Sequence, residues 1–196
     1  MRVEAVSLRT FEVAMLPAVA WRNGLGTTRE LAVGPPGTAL ALFDWRVAVA
    51  DIAPGATSFS RYPGVDRVLV TTGPGLRLGP PGCGGAAMRP IEPWVPMQLD
   101  GAEPVDARLV GAPVRVFNVM ARRGAARGTA AVHRSATALA ADATHVLWCV
   151  QGRAQLESGD GHDAVLDAGH ATVFAGAAAR LAVDDCTIVL AATLHG

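Results

Sequence analysis

The sequence contains no lysine, one tyrosine and only three cysteines. Its seventeen basic residues are therefore all arginines, and because seventeen acidic residues balance them, a nucleic-acid surface is not expected. Cys83, Cys149 and Cys186 are odd in number and lack CxxC spacing, which argues against a disulfide framework and against a cysteine zinc site. This cysteine usage is typical of a reducing compartment, and we predict a cytoplasmic protein.

Long apolar runs are also missing. No stretch approaches the roughly 18 apolar residues that a membrane helix needs, so no membrane partner is expected. The segment from Ala14 to Ala20 ends in a pattern that resembles a signal cleavage site. Glu12 before it and Pro17 within it argue against a leader peptide.

The usual catalytic and metal-binding motifs are absent as well. The histidines lie in the last third of the chain and show neither HxH nor HxxxH spacing, so we predict no metal and no cofactor; they are His133, His145, His162, His170 and His195. GLGTT lacks the GK[ST] of a phosphate loop. Ser58 and Ser60 have no nearby histidine to act as a base. Scattered carboxylates, each with an arginine close in sequence, are explained more simply by ion pairs.

Alternating strands are what the sequence does contain. One face of a predicted strand is apolar and carries Phe43, Trp45, Val47 and Val49. The residues of the opposite face are small except for Asp44 and Arg46, as expected for a half-buried strand. Pro-Gly dipeptides follow, and Gly73-Pro74-Gly75 is predicted to close a hairpin. Turn residues recur every eight to twelve positions or so, a spacing that indicates a β-sandwich or barrel. Ser135–Ala143 is the one stretch whose alanines would support two helical turns.

A weak internal repeat suggests two such units. RVLVTTGPGLRL, beginning at Arg67, is similar to HVLWCVQGRAQL, beginning at His145, because each has an apolar strand, a glycine turn and a returning strand. The glycine-spaced basic segment near Arg122 is interpreted as the crossover. We predict an all-β double jelly-roll with little helix, divided into residues 1–124 and 125–196.

Polar residues on the predicted strands of the first half point to a pocket. Asn118 is the most informative, because it interrupts the apolar run VRVFNVM and a buried asparagine needs partners. Any one of these residues alone is better explained by surface ion pairs or loop contacts. Together they suggest a pocket for a small anion, since guanidinium groups match carboxylates in geometry. The set is Trp21, Asn23, Arg29, Glu30, Arg46, Ser58, Ser60, Arg67, Asn118 and Arg122.

These residues lie in motifs that resemble the HutD/Ves family. The motifs occur in the family's order and cover about Trp21 to Gly124; they are WRNGLGTTREL, FDWRVAVADI, SFSRYPGVDRVL, LDGAEPVDARL and PVRVFNVMARRG. The resemblance implies a bicupin, two cupin-like barrels without the usual metal histidines, and a link to histidine utilisation. The motif positions carried over as ligand-binding candidates are Trp21, Asn23, Arg29, Glu30, Arg46, Ser60, Arg67 and Asn118.

Three functions follow as hypotheses. The first is a metal-free accessory or regulatory protein that binds a small anionic metabolite such as formylglutamate or urocanate. Arg46 and Arg67 would hold carboxylates, Asn23 and Asn118 a formyl or amide group, and Trp21 would wall the pocket. The second is a hydrolase or isomerase of such an intermediate, with Glu30 or Asp66 as base; we favour the non-enzymatic function. The third is a protein-interaction surface, with the chain forming a homodimer.

Overall fold

The computed structural model describes residues 8–21, 23–38, 42–83 and 87–196. Short strands and turns make up almost all of this part of the chain, with a 3₁₀ turn at Val13–Met15. The strands of the first half are β1 (Arg9–Glu12), β2 (Ala18–Ala20), β3 (Gly26–Gly34), β4 (Trp45–Ile52), β5 (Gly55–Ser58), β6 (Val65–Thr71), β7 (Leu76–Gly79), β8 (Arg89–Pro90), β9 (Met97–Asp100), β10 (Asp106–Leu109) and β11 (Val114–Arg122).

The second half is built in the same way. Its strands are β12 (Arg127–His133), β13 (Thr137–Leu139), β14 (Thr144–Gln151), β15 (Arg153–Ser158), β16 (Ala164–Asp167), β17 (His170–Ala175), β18 (Ala179–Val183) and β19 (Ile188–His195). The all-β prediction is confirmed. The helical turns expected at Ser135–Ala143 are wrong, because that segment contains β13, paired with β18. Within the described ranges, no helix is long and apolar enough to cross a membrane.

The strands form four sheets that pack as two sandwiches. In the first sandwich a six-stranded sheet, in the order β2-β3-β4-β11-β6-β9, faces a four-stranded sheet, β5-β10-β7-β8. In the second sandwich a five-stranded sheet, β1-β17-β14-β19-β12, faces β13-β18-β15-β16. Each sandwich has its own apolar core; Leu69 and Leu76 belong to the first, Leu147 and Leu181 to the second.

The two larger sheets pack against each other. Val47, Val49 and Phe117 share a third buried cluster with Trp148 of the second sandwich, and the rings of Phe117 and Trp148 are stacked with centroids 6.4 Å apart. Because side chains alternate along a strand, the apolar face of β4 packs on the other sandwich. The opposite face of β4, which carries Ala50 and the arginine at position 46, therefore lines the interior of the first sandwich.

The internal repeat is a strand-for-strand correspondence. β4 to β11 occupy the same places in the first sandwich as β12 to β19 do in the second, so β6 corresponds to β14 and β11 to β19. The hairpin predicted at Gly73-Pro74-Gly75 is wrong. β6 and β7 lie in different sheets, and β7 pairs instead with β10 and β8. The glycine turn carries the chain across the sandwich, as it does in a jelly-roll.

The division at residue 124 stays a prediction. β11 ends at Arg122 and β12 begins at Arg127, so the segment between them does join the two sandwiches. The N-terminal strand β1 pairs with β17, which places Arg9–Glu12 in the larger sheet of the second sandwich.

Candidate functional site

Two arginines lie in one row on the inner face of the six-stranded sheet. Met120 of β11 is opposite Arg46 of β4 on one side and opposite Arg67 of β6 on the other. Their Cα atoms are therefore two strand spacings apart, about 10 Å. In the next row, Asn118 stands between Ala48 and Leu69. The register thus brings Arg46, Arg67 and Asn118 together on one face.

The chain between β5 and β6 covers this row. Phe59 donates its backbone N–H to the carbonyl of Val105 at 2.9 Å, which holds its segment over the sheet. The guanidinium carbon of Arg67 lies 5.1 Å from the centre of the Phe59 ring. Nη1 of Arg67 donates to the carbonyl oxygen of Ser60 at 3.5 Å, so Ser60 contributes its backbone; the residue is exposed.

Arg67 is a buried cation without a carboxylate partner among the described residues. It is 6% exposed. Its Nη2 donates to Oδ1 of Asn118 at 3.1 Å, and its Nε is buried without a hydrogen-bond partner in the described structure. Burial lowers the pKa of Arg67 from its ordinary value to about 10; the nearby Tyr62 opposes this shift and the charge of Arg46 adds to it. Over the ranges that the structure describes, this desolvated positive charge is therefore offset by no carboxylate of the chain.

Arg46 differs because it has a counter-ion. Its Nε donates to Oε2 of Glu30 at 2.7 Å. The Arg46 side chain is 13% exposed and that of Glu30 is 43% exposed. Glu30 thus lies at the rim, and the arginine extends inward from it.

Trp21 and Asn23 belong to the segment before β3 and contact other residues. The indole N–H of Trp21 donates to Oγ1 of Thr28 at 2.8 Å, and the ring packs on the apolar core of the first sandwich. The side-chain amide of Asn23 donates to Oγ1 of Thr57, and its oxygen accepts the backbone N–H of Leu25 at 3.0 Å. Asn23 therefore ties the loop before β3 to β5.

Arg29 lies on the opposite face of the sheet. It forms an ion pair with Asp51, and Nε of Arg115 forms a second ion pair with Asp51 at 3.4 Å. The guanidinium of Arg115 lies 5.9 Å from the ring centre of Trp148, on the side where the two sandwiches meet. The register explains this position. Arg29 pairs with Val49, whose side chain points away from the interior of the first sandwich and toward the second.

The corresponding position of the second sandwich is occupied by His145, which starts the repeat as Arg67 does. It is 1% exposed, and its Nε2 contacts the carbonyl oxygen of Ala140 at 2.9 Å. Its Nδ1 lies 3.3 Å from Oγ1 of Thr193, and its ring stacks on Phe174 with centroids 5.1 Å apart. Both ring nitrogens of His145 therefore have partners within the chain, in contrast to Nε of Arg67.

The two carboxylates considered as catalytic bases are both ion-paired. Glu30 pairs with Arg46, and Asp66 accepts Nε of Arg123 at 2.7 Å. The guanidinium of Arg123 also pairs with Asp100 at 3.0 Å. Over residues 8–21, 23–38, 42–83 and 87–196, no group of three or more histidine, cysteine or acidic side chains could hold a metal ion.

The Asp66 ion pair borders a surface cleft of about 300 Å³, which Arg67, Gln98 and Arg127 also line. The cleft lies where β6 and β9 meet the start of β12. The two acidic residues of the cleft, Asp66 and Asp100, are both ion-paired with Arg123, so neither compensates the charge of Arg67.

Sequence reasoning missed Phe59 and Tyr62. Both act on Arg67, the first through its ring face and the second through its effect on the pKa of the guanidinium. The signal was present in SFSRYPGVDR, where two aromatic residues lie within eight positions of Arg67.

Comparison with known proteins settles the family. The family model HutD matches residues 14–191. The chain belongs to the HutD family. A HutD-family relative from Pseudomonas putida, described as an uncharacterized 21.2 kDa protein in the hutC 3′ region, is 33% identical over 147 residues, which is 70% of this chain and 75% of the relative. The Protein Ves of Cronobacter sakazakii is 36% identical over 120 residues, 60% of this chain; the match spans 62% of that protein, less than two thirds of its length.

Solved structures support a cupin-like fold. HutD from Pseudomonas fluorescens SBW25, in a structure described with a formate condition, superposes with a TM-score of 0.79 at 22% identity, covering 96% of this chain and 98% of that one. A cupin 2 conserved barrel domain protein from Leptotrichia buccalis superposes with a TM-score of 0.61 at 7% identity, covering 100% and 99%. These two likenesses are evidence about fold alone.

Proposed function

We propose that this HutD-family chain binds a small carboxylate at Arg67 in the first sandwich and regulates amino-acid catabolism without converting its ligand. The observation that carries the proposal is the missing counter-ion of Arg67. A buried guanidinium with a free Nε and no carboxylate is costly to keep, because the charge has lost its hydration. A ligand carboxylate would supply the missing anion through paired hydrogen bonds.

The neighbouring residues fit that role. Asn118 fixes one terminal nitrogen of Arg67, and its amide nitrogen is left to donate to a formyl or amide oxygen of the ligand. Arg46, ion-paired with Glu30, lies in the same row. Trp21 packs against the apolar core of the first sandwich. Asn23 bonds Thr57 and Arg29 pairs with Asp51, so neither is proposed to contact the ligand.

The names of similar proteins support the choice of ligands to test. The Pseudomonas putida relative is named for the hutC region, and the HutD structure is described with formate, the smallest carboxylate. Formylglutamate and urocanate are therefore the first ligands to test. A ligand of about a dozen atoms at roughly 0.3 to 0.7 kcal/mol per atom gains about 4 to 8 kcal/mol, which corresponds to millimolar to micromolar Kd. That range suits a sensor of metabolite overflow.

Calorimetric titration tests the proposal directly. We expect heat of binding from formylglutamate or urocanate with one site per chain, because the corresponding position in the second sandwich is filled by His145. Arg67→Ala should abolish the signal, and Arg180→Ala, an exposed arginine of β18, should not change it. The absence of heat from both ligands at millimolar concentration would contradict the proposal.

Two further hypotheses are separated by simple assays. Incubating the chain with either ligand and following the NMR spectrum distinguishes binding from turnover, and new product resonances would favour the hydrolase or isomerase. Light scattering with and without ligand tests the proposed homodimer. The cytoplasmic location stays a prediction; the free thiols of Cys83, Cys149 and Cys186 agree with it.

A further inference from the structure

The two arginines of the site are not equivalent in charge. Glu30 is the only carboxylate that contacts either guanidinium in the part of the chain that the structure describes. Arg46 is neutralised by it, whereas Arg67 is not. The row therefore carries two positive charges and one negative charge, a net charge that one ligand carboxylate balances.

The position of Glu30 allows it to control the second arginine. It bonds only Nε of Arg46, and the two terminal nitrogens of that guanidinium have no partner among the described residues. A second ligand carboxylate could reach them, but it would meet a carboxylate already in place. It would lose hydration without gaining the attraction of an unpaired cation.

From this arrangement we propose that Glu30 acts as a resident carboxylate that selects a ligand with a single negative charge at the Arg67 site. The inference rests on the proposed function and specifies its substrate class as monocarboxylates with a neutral polar tail. The single carboxylate pairs with Arg67, and the neutral tail extends along Met120 toward Arg46. Of the two ligands named above, the monoanion urocanate is favoured over the dianion formylglutamate.

The test uses two probes of equal size and shape. Glutarate carries two carboxylates, and its monoamide, glutaramate, carries one carboxylate and one amide. Calorimetry on the full chain at neutral pH should give a Kd for glutaramate at least about threefold lower than that for glutarate, the effect of one partly exposed charge. Glu30→Gln keeps the shape and removes the charge, so the ratio of the two Kd values should fall at least about threefold.

A matched control is available in the second sandwich. Glu157 forms a comparable exposed ion pair with Arg180, and Glu157→Gln should leave the Kd ratio unchanged. If the natural chain binds both probes equally and Glu30→Gln leaves the ratio as it was, the inference is wrong while the carboxylate site stands. If neither these probes nor urocanate binds at about 10 mM, the proposed function itself fails.

Discussion

Oδ1 of Asn118 accepts a hydrogen bond from Nη2 of Arg67 at 3.1 Å inside the first sandwich. A neutral amide thus stands where a carboxylate would offset the buried charge. Asparagine holds the guanidinium in place without neutralising it, and the described part of the chain supplies no carboxylate for this charge.

Asn118→Asp should convert this contact into an internal ion pair. A hydrogen bond to a charged acceptor is stronger than one to an amide by about 1 kcal/mol, so thermal unfolding should shift upward by about 2 to 4 °C. Carboxylate binding should weaken at least about tenfold, because the aspartate occupies the cation that the ligand needs. A variant that is stabilised yet binds as tightly as the natural chain would contradict the assignment of Arg67.

Removing the whole contact should also stabilise the fold. In Arg67→Met/Asn118→Leu no polar group of the pair is left unpartnered, and replacing buried charge by packed apolar groups is typically neutral or stabilising by about 1 to 4 kcal/mol. Denaturant unfolding measures the change. Arg67→Met alone should be less stable than the double variant, because it leaves the buried amide oxygen of Asn118 without its hydrogen-bond donor. A double variant that is less stable than both single variants would show that the charge serves folding.

Binding should be lost at high pH. Burial lowers the pKa of Arg67 to about 10, so the guanidinium of the free protein loses its proton as the pH rises through that value. At pH 11 the Kd for a carboxylate should be about tenfold higher than at pH 8. Because the folded-state pKa lies below the unfolded value, deprotonation removes a cost of folding, and loss of structure cannot be ascribed to this group. Circular dichroism at both pH values provides the control, and a constant Kd would contradict the shift.

Acid should destabilise the second sandwich through His145. Its pKa is lowered, chiefly by burial and against the hydrogen bond to Ala140. The folded protein favours the neutral ring, so the ring's contribution to the free energy of unfolding is fully present above the unfolded-state pKa of about 6.5. This contribution is lost as the pH falls through the folded-state pKa. The free energy of unfolding should drop between pH 7 and pH 5, and less so in His145→Gln.

His162→Gln, at an exposed site, is the control for that measurement and should keep the full pH dependence. His133 has its pKa lowered in the same direction, first by burial and then by His145. The dependence in His145→Gln should therefore be reduced without disappearing. An identical pH profile for His145→Gln and the natural chain would contradict the prediction.

The fold class could be predicted because it depends on local patterns. Val47 and Val49 alternate with Ala48, and this alternation already distinguishes the two faces of β4. The similar stretches that begin at Arg67 and His145 indicate two similar units. The hairpin prediction after β6 is wrong because a glycine turn permits the chain to reverse direction but does not decide which sheet the next strand joins.

The candidate site was predicted only in part. Arg67 and Asn118 are 51 residues apart, and their contact depends on the pairing of β6 with β11, which no local pattern encodes. The strand pattern does separate two of the candidates. Arg29 and Glu30 are neighbours on the same strand, so their side chains point to opposite faces and only one of them can line the pocket.

A single crystallographic measurement addresses the central claim, that a carboxylate binds the uncompensated Arg67. 5-Bromo-2-furoate combines a carboxylate with an anomalous scatterer on a ring carbon that does not alkylate thiols, and it can be soaked into crystals of the natural chain and of Asn118→Asp. We expect a bromine peak in the first sandwich within contact of a carboxylate held by Arg67, absent from the variant, and none beside His145. A peak in the first sandwich that persists in Asn118→Asp, or bromine elsewhere in the molecule but not at Arg67, would contradict it.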